Sequence, residues 1–181
     1  MQKIFHITAQ VDLNLYPRWI DIFRETYDKP YPMHISLKTN TYCQEEATTH
    51  IKKELKELCK NYTTMHLQFH GIFTKKTDNG WSIMIRAEEN TQLLKLQKEI
   101  SKTFSTYGDH IAKQYAEFEL SFIPHITIGR RLSDENFREA QNMIHDDSLA
   151  TATIQKIVLT IVDNAVFEEW TDPQNKTVFV L

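Results

Sequence analysis

Two tetrapeptides, His34-Ile35-Ser36-Leu37 and His125-Ile126-Thr127-Ile128, govern the reading of this chain. Each alternates polar with apolar residues, the pattern of a β-strand with one face in a core. Residues two apart on a strand are about 6.5–7 Å apart and share a face. His34 therefore projects beside Ser36, and His125 beside Thr127. Ile35 and Leu37 anchor the opposite side of the first motif, as Ile126 and Ile128 do in the second. An amphipathic helical pattern follows each, so the same unit occurs once in each half of the chain.

Working outward, strands and helices alternate. Phe5, Ile7, Ala9 and Val11 recur with period two over residues 3–12, and Pro17 opens a short helix with Trp19, Ile22, Phe23 and Tyr27 on one face. A longer helix over about 44–60 is anchored by Ala47, Ile51, Leu55 and Leu58. In residues 64–74, Leu67, Phe69 and Phe73 oppose His66, Gln68 and His70; the turn signal KKTDNG then returns WSIMIRA as a hairpin. Leu93, Leu96, Ile100 and Phe104 mark a helix over about 90–106, and EFELSFI reads as extended chain leading into the second motif. Ser133 caps a helix running to about residue 145. TIQKIVLTIVDN, AVFEEW and KTVFVL read as a β-rich end, with Thr171–Asn175 as the last turn. Strands joined by hairpins argue for an α+β fold and against a purely parallel doubly wound sheet.

The 181 residues suffice for one large domain or two small lobes. A chain of this length buries roughly 70% of its unfolded surface and needs neither a disulfide nor a metal to hold a core. Lys and Arg number 21 against 24 acids, for a net charge of −3, which counts against a long duplex nucleic acid as partner. Cys43 and Cys59 form no CxxC pair and read as reduced thiols. The opening MQKIFHITAQVDL has the pattern of a strand and not of a leader, and no apolar run is long enough for a membrane span. A cytoplasmic, soluble monomer is expected.

Two facing imidazole–hydroxyl displays suit phosphodiester cleavage without a metal or cofactor. One neutral imidazole takes a proton from an attacking water or hydroxyl; the other, as imidazolium, gives one to the leaving ribose oxygen. The Ser36 and Thr127 hydroxyls donate to non-bridging phosphate oxygens as charge builds there. Such a pair predicts a bell-shaped pH–rate profile with limbs between roughly pH 5 and 8. His6-Ile7-Thr8 is a third tripeptide of this kind, without a bulky apolar residue after it; it reads as a solvated strand position ahead of a groove-lining one. His66 and His70, four apart on a strand, lie about 13 Å from one another, too far for one zinc. His50 and His145 fall on helix surfaces and His110 in a loop. Tyr31, Tyr42, Phe73, Tyr115 and Trp170 lie near strand ends, where an aromatic ring either stacks on a base or packs the rim.

The paired motifs resemble the signature of the two-histidine (2H) phosphoesterase superfamily, which includes the 2′-5′ RNA ligase-like and cyclic phosphodiesterase proteins. QKIFHITAQVDL resembles that family's opening strand, FHGIFTKKTDNGWSIMIRA its central hairpin, PHITIGR its second motif, and VFVL its closing strand. The resemblance implies one bilobal domain over residues 1–181, with two pseudo-symmetric lobes of antiparallel-rich sheet and outer helices around a central groove. It implies His34 and His125 as the acid–base pair and Ser36 and Thr127 as phosphate ligands. Arg130 is a further phosphate candidate: alternation from His125 points it away, but a bulge at Gly129 would redirect it. Lys38 is another, since alternation puts it on the face of His34 and Ser36. The implied substrate is a small nucleotide or RNA end carrying a 2′,3′-cyclic phosphate or a 2′-5′ linkage. The alternative is a binding module of the same fold with little or no turnover.

Overall fold

In β1 (Gln2–Leu15) the alternation becomes structure: Phe5, Ile7 and Ala9 are fully buried, while His6, Thr8 and Gln10 on the other face are half-buried. The computed structural model describes residues 1–28, 31–144 and 150–181. The chain continues through α1 (Trp19–Tyr27), β2 (His34–Gln44), α2 (Thr48–Cys59), β3 (Met65–Thr77) and β4 (Gly80–Ala87). After these come α3 (Thr91–Thr103), α4 (Lys113–Leu120), β5 (His125–Leu132), α5 (Asp134–Met143), β6 (Ala150–Val162), α6 (Phe167–Thr171) and β7 (Lys176–Val180).

Among the described residues the strands form one seven-stranded antiparallel sheet in the order β2-β1-β6-β3-β4-β5, with β7 added to β6. β6 joins the two halves. One of its sides runs along β1; the other takes β3 at Ala150–Ile154 and β7 at Lys156–Thr160. The motif strands β2 and β5 stand at the two ends of this order, yet the twisted sheet brings them into contact.

Helices α1, α2, α3 and α5 cover one face. Ile20 and Phe23 of α1, Ile51 and Leu55 of α2, Leu93, Leu96 and Ile100 of α3, and Ala140 of α5 are all fully buried against the sheet. Full burial of a large apolar side chain stabilises by about 1.5–3 kcal/mol, so these helices are held by their stripes. In α1 the core-facing residue is Ile20 and not Ile22, which is 56% exposed. Ile20, Phe23 and Tyr27 follow the three-then-four spacing of a helix face.

Two segments expected to be extended are helical. EFEL closes α4, and FEEW makes most of α6. In α6 the acidic Glu168 and Glu169 occupy the first turn, where they complement the helix dipole, and Glu169 also accepts from the Asp163 and Asn164 backbone N–H groups at 2.8 and 2.9 Å. The expected β3–β4 hairpin is present, but Asp78-Asn79 make its turn and Gly80 pairs with Thr77. Gly80 has φ +104°, and a Cβ there would meet the Leu132 carbonyl oxygen at 2.6 Å, so both conformation and space require glycine.

Three register shifts decide which face key side chains occupy. In β2, Ser36 lies opposite Thr8 but Lys38 lies opposite Ile7, so one extra residue turns Lys38 to the core side. In β3, a shift around Gly71 (φ +79°) sets Ile72 opposite core-facing Ile85 and turns Phe73 to the open face, opposite Met84. In β5, Gly129 pairs with Ile83 where Thr127 pairs with Met84, and the next residue, Arg130, faces the same side as His125.

Candidate active site

His34 and Ser36 reach the open face from β2, and His125 and Thr127 from β5, as alternation requires. The two histidines are held alike. His34 Nδ1 is 2.8 Å from the Pro32 carbonyl oxygen, and His125 Nδ1 is 2.8 Å from the Ile123 carbonyl oxygen. A carbonyl can only accept, so each Nδ1 carries a hydrogen and each Nε2 is left without a protein partner among the described residues. The Pro preceding each motif by one or two places helps fix this extended approach, since a residue before proline is held out of the helical region.

Arg130 joins this face through the β5 shift. Its Nε donates to Asp28 Oδ1 at 2.7 Å, and its guanidinium lies 5.1 Å from the Tyr31 ring centre. Arg24 binds the other oxygen of the same fully buried carboxylate at 3.3 Å, so two cations share Asp28. Lys38 is corrected. Alternation predicts it beside Ser36, but it is 2% exposed and its ammonium is paired with Glu119 at 3.1 Å. The bulge in β2 moves it off the open face, where its charge would otherwise be free.

His6 belongs to the group. Its Nε2 lies 3.1 Å from Ser36 Oγ, and its ring meets His34 and Trp170 edge to face, 5.9 Å away in both cases. On the second motif, Phe73 and Phe118 stand edge-on to His125 at 5.5 and 5.6 Å. Phe118 is not singled out by the sequence, because the alternation of its segment predicts extended chain where the structure has α4. Its three- and four-residue spacing from Tyr115 and to Phe122 was the available signal, and the Phe118 and Phe122 rings do touch at 5.9 Å. Of the remaining aromatic candidates, Tyr31 packs on Phe167 at 4.8 Å, and the Tyr115 carbonyl accepts from the Thr39 hydroxyl. Tyr42 lines a separate cleft with Gln2 and Asp109.

The imidazoles are biased toward neutrality. Burial, then the Arg130 and His125 charges, lower His34 to about 4, against the opposing pull of its Pro32 hydrogen bond. Burial and the neighbouring His34 and Arg130 take His6 down to about 3. Burial also lowers His125, with Arg130 and Lys75 adding to it and the Ile123 carbonyl opposing. Among the described residues no group of three or more His, Cys, Asp or Glu side chains is arranged to hold a metal ion. His66 and His70 are exposed on β3, His50 is exposed on α2, and His110 is inserted beside Glu119 at 3.1 Å; His145 lies outside the described residues. No helix among the described residues is long and apolar enough to cross a membrane.

Known proteins are similar to this chain in sequence or in fold. A protein of Bacillus cytotoxicus provisionally named a phosphoesterase is 33% identical over 116 residues, covering 61% of this chain and 60% of that relative. A Bacillus mycoides protein of the same description matches to the same extent, so the chain spans about 60% of the length of these curated relatives. Two solved structures share the fold at low identity. Usb1 of Kluyveromyces marxianus superposes with a TM-score of 0.57 at 9% identity, over 98% of both chains. LigT of E. coli, solved with 3′-AMP, superposes with a TM-score of 0.53 at 13% identity, over 100% of this chain and 96% of that one. The 2′-5′ RNA ligase superfamily profile matches residues 12–165, which contain both motif strands and the sheet between them, and the chain belongs to that superfamily of 2H phosphoesterases.

Proposed function

We propose that this chain is a phosphodiesterase that hydrolyses a 2′,3′-cyclic phosphate, or a 2′-5′ phosphodiester, in a small nucleotide or RNA end. The observation that carries the reading is the matched Nδ1–carbonyl bond on His34 and His125, which commits both Nε2 atoms to one face. For a cyclic phosphate, one Nε2 removes a proton from water as the water oxygen bonds to phosphorus. The other gives its proton to the ribose oxygen as the P–O bond breaks, leaving a phosphomonoester. Ser36 and Thr127 donate to the phosphate oxygens, and Arg130 offsets their charge. The phosphate's own charge raises both imidazole pKa values on binding, which supplies the protonated partner that the free groove disfavours. LigT with its bound 3′-AMP supports a nucleotide-sized ligand. In this reading the chain works as one bilobal unit, a cytoplasmic monomer.

The test is turnover of 2′,3′-cyclic AMP and 2′-5′ oligoadenylate in excess EDTA. Activity should survive the chelator, and His34→Ala and His125→Ala should each lose about 10²–10⁴ in kcat. Loss of activity with EDTA, or near wild-type rates in both variants, would contradict the mechanism. Binding without turnover would instead identify a nucleotide-binding module.

A further inference from the structure

The acid–base pair does not require His6, yet His6 is built into the same face. β1 and β2 place Thr8 opposite Ser36, and His6, two residues along β1, projects on the same side. Its Nε2 reaches Ser36 Oγ at 3.1 Å, and Trp170 closes against its ring with planes 88° apart. The Ser36 hydroxyl has one hydrogen and two lone-pair positions. If it gives that hydrogen to His6, none remains for a phosphate oxygen. If His6 donates its Nε2–H, Ser36 accepts and its own hydrogen is free. The second arrangement also gives the neutral ring's one N–H a protein acceptor, because Nδ1 has none among the described residues. Burial with His34 and Arg130 nearby keeps the ring uncharged, so what it supplies is direction and not charge.

We propose that His6 is a positioning residue for phosphate: it donates Nε2–H to Ser36 Oγ and so turns the Ser36 hydroxyl into a donor aimed at a phosphate oxygen. Thr127 has no such partner among the described residues, so the two hydroxyls differ: Ser36 is oriented in advance and Thr127 orients when phosphate arrives. The kinetic consequence rests on the phosphodiesterase reading above; the hydrogen-bond arrangement does not.

The experiment uses the whole chain, with 2′,3′-cyclic AMP for turnover and 3′-AMP for binding. His6→Phe keeps a ring against Trp170 and removes the bond, whereas His6→Gln keeps an N–H near the Nε2 position. His6→Phe and Ser36→Ala should each weaken 3′-AMP binding and kcat/KM about three- to tenfold, the value of one neutral hydrogen bond. Because both remove the same contact, the double variant should be within about twofold of the worse single variant. His6→Gln should recover most of the loss, and ¹⁵N shifts should place the wild-type His6 proton on Nε2. Additive losses in the double variant, no recovery in His6→Gln, or a proton on Nδ1 would each overturn the proposal. If the wild type binds 3′-AMP without turnover, the phosphodiesterase reading fails and the binding cycle still decides the role of His6. If it binds neither ligand, the position of the His6 proton decides.

Discussion

The Arg130 guanidinium donates to Asp28, covers Tyr31, and adds its charge to the burial that lowers His6, His34 and His125 below the usual imidazole range. A histidine of depressed pKa is neutral at pH 7, so in the free protein both members of the proposed acid–base pair, His34 and His125, rest as bases. Because kcat/KM reports the free protein, its optimum should fall below pH 6.5 and its acid limb near the His34 value of about 4. That is a more acidic bell than the sequence-based one, whose limbs both fall between roughly pH 5 and 8. Arg130→Gln removes a cation that lowers every imidazole, so the profile should move to higher pH while its maximum falls. The check is kcat/KM for 2′,3′-cyclic AMP from pH 4 to 8; a profile that stays put or moves toward acid would refute this role. The motif residues were legible because histidine, hydroxyl and apolar anchor are a short-range pattern. Arg130 was undecided because its direction depends on a register shift against β4.

At the scale of elements, α4 fastens the two motif strands to each other. Glu119 accepts from the Thr39 N–H at 2.8 Å and its hydroxyl at 2.7 Å, and pairs with the Lys38 ammonium, while Phe118 on the same helix touches His125. Burial alone would raise the Glu119 carboxyl; Lys38 and the Thr39 donors outweigh it and hold the carboxyl below its ordinary value. Glu119→Ala would leave Lys38 charged and unpaired inside the protein, and the cost should be about 3–5 kcal/mol in urea unfolding. Replacing both residues with apolar ones of similar size should cost much less, and equal losses in the single and double variants would refute the pairing argument. The sequence reading missed this helix for a definable reason. Phe118, Leu120 and Phe122 alternate like a strand, the helix buries no residue fully, and what holds it is the polar contact of Glu119 with a strand 80 residues away. Periodicity in so short a segment fits both structures. By contrast α2, α3 and α5 were readable because each carries a buried apolar stripe at helical spacing.

Across the whole molecule, the fold keeps three half-buried imidazoles neutral near the place where its two end strands meet. Unfolded histidine titrates near 6.5, whereas His34 and His6 titrate at about 4 and 3 in the folded chain. Between those values the unfolded chain takes up protons that the native one refuses. Their contribution to stability is therefore full above pH 6.5 and is lost as the pH falls toward 4 for His34 and toward 3 for His6. The loss should be on the order of 1–2 kcal/mol per imidazole after solvent screening is allowed for. The urea midpoint should drop over this interval, and His34→Gln should flatten the drop; an unchanged slope in that variant would argue against a buried neutral His34. Sequence alone determined the α+β class, most elements, and the His34–Ser36 and His125–Thr127 pairs, because alternation and helical spacing are local properties of the chain. Tertiary structure decided which additional side chains join them. Phe73 and Arg130 enter the open face and Lys38 leaves it through single-residue register shifts, and His6 is completed by Ser36 on the neighbouring strand. A bulge inverts the facing of the residues beyond it, and its position is set by the partner strand, which no short stretch of sequence contains.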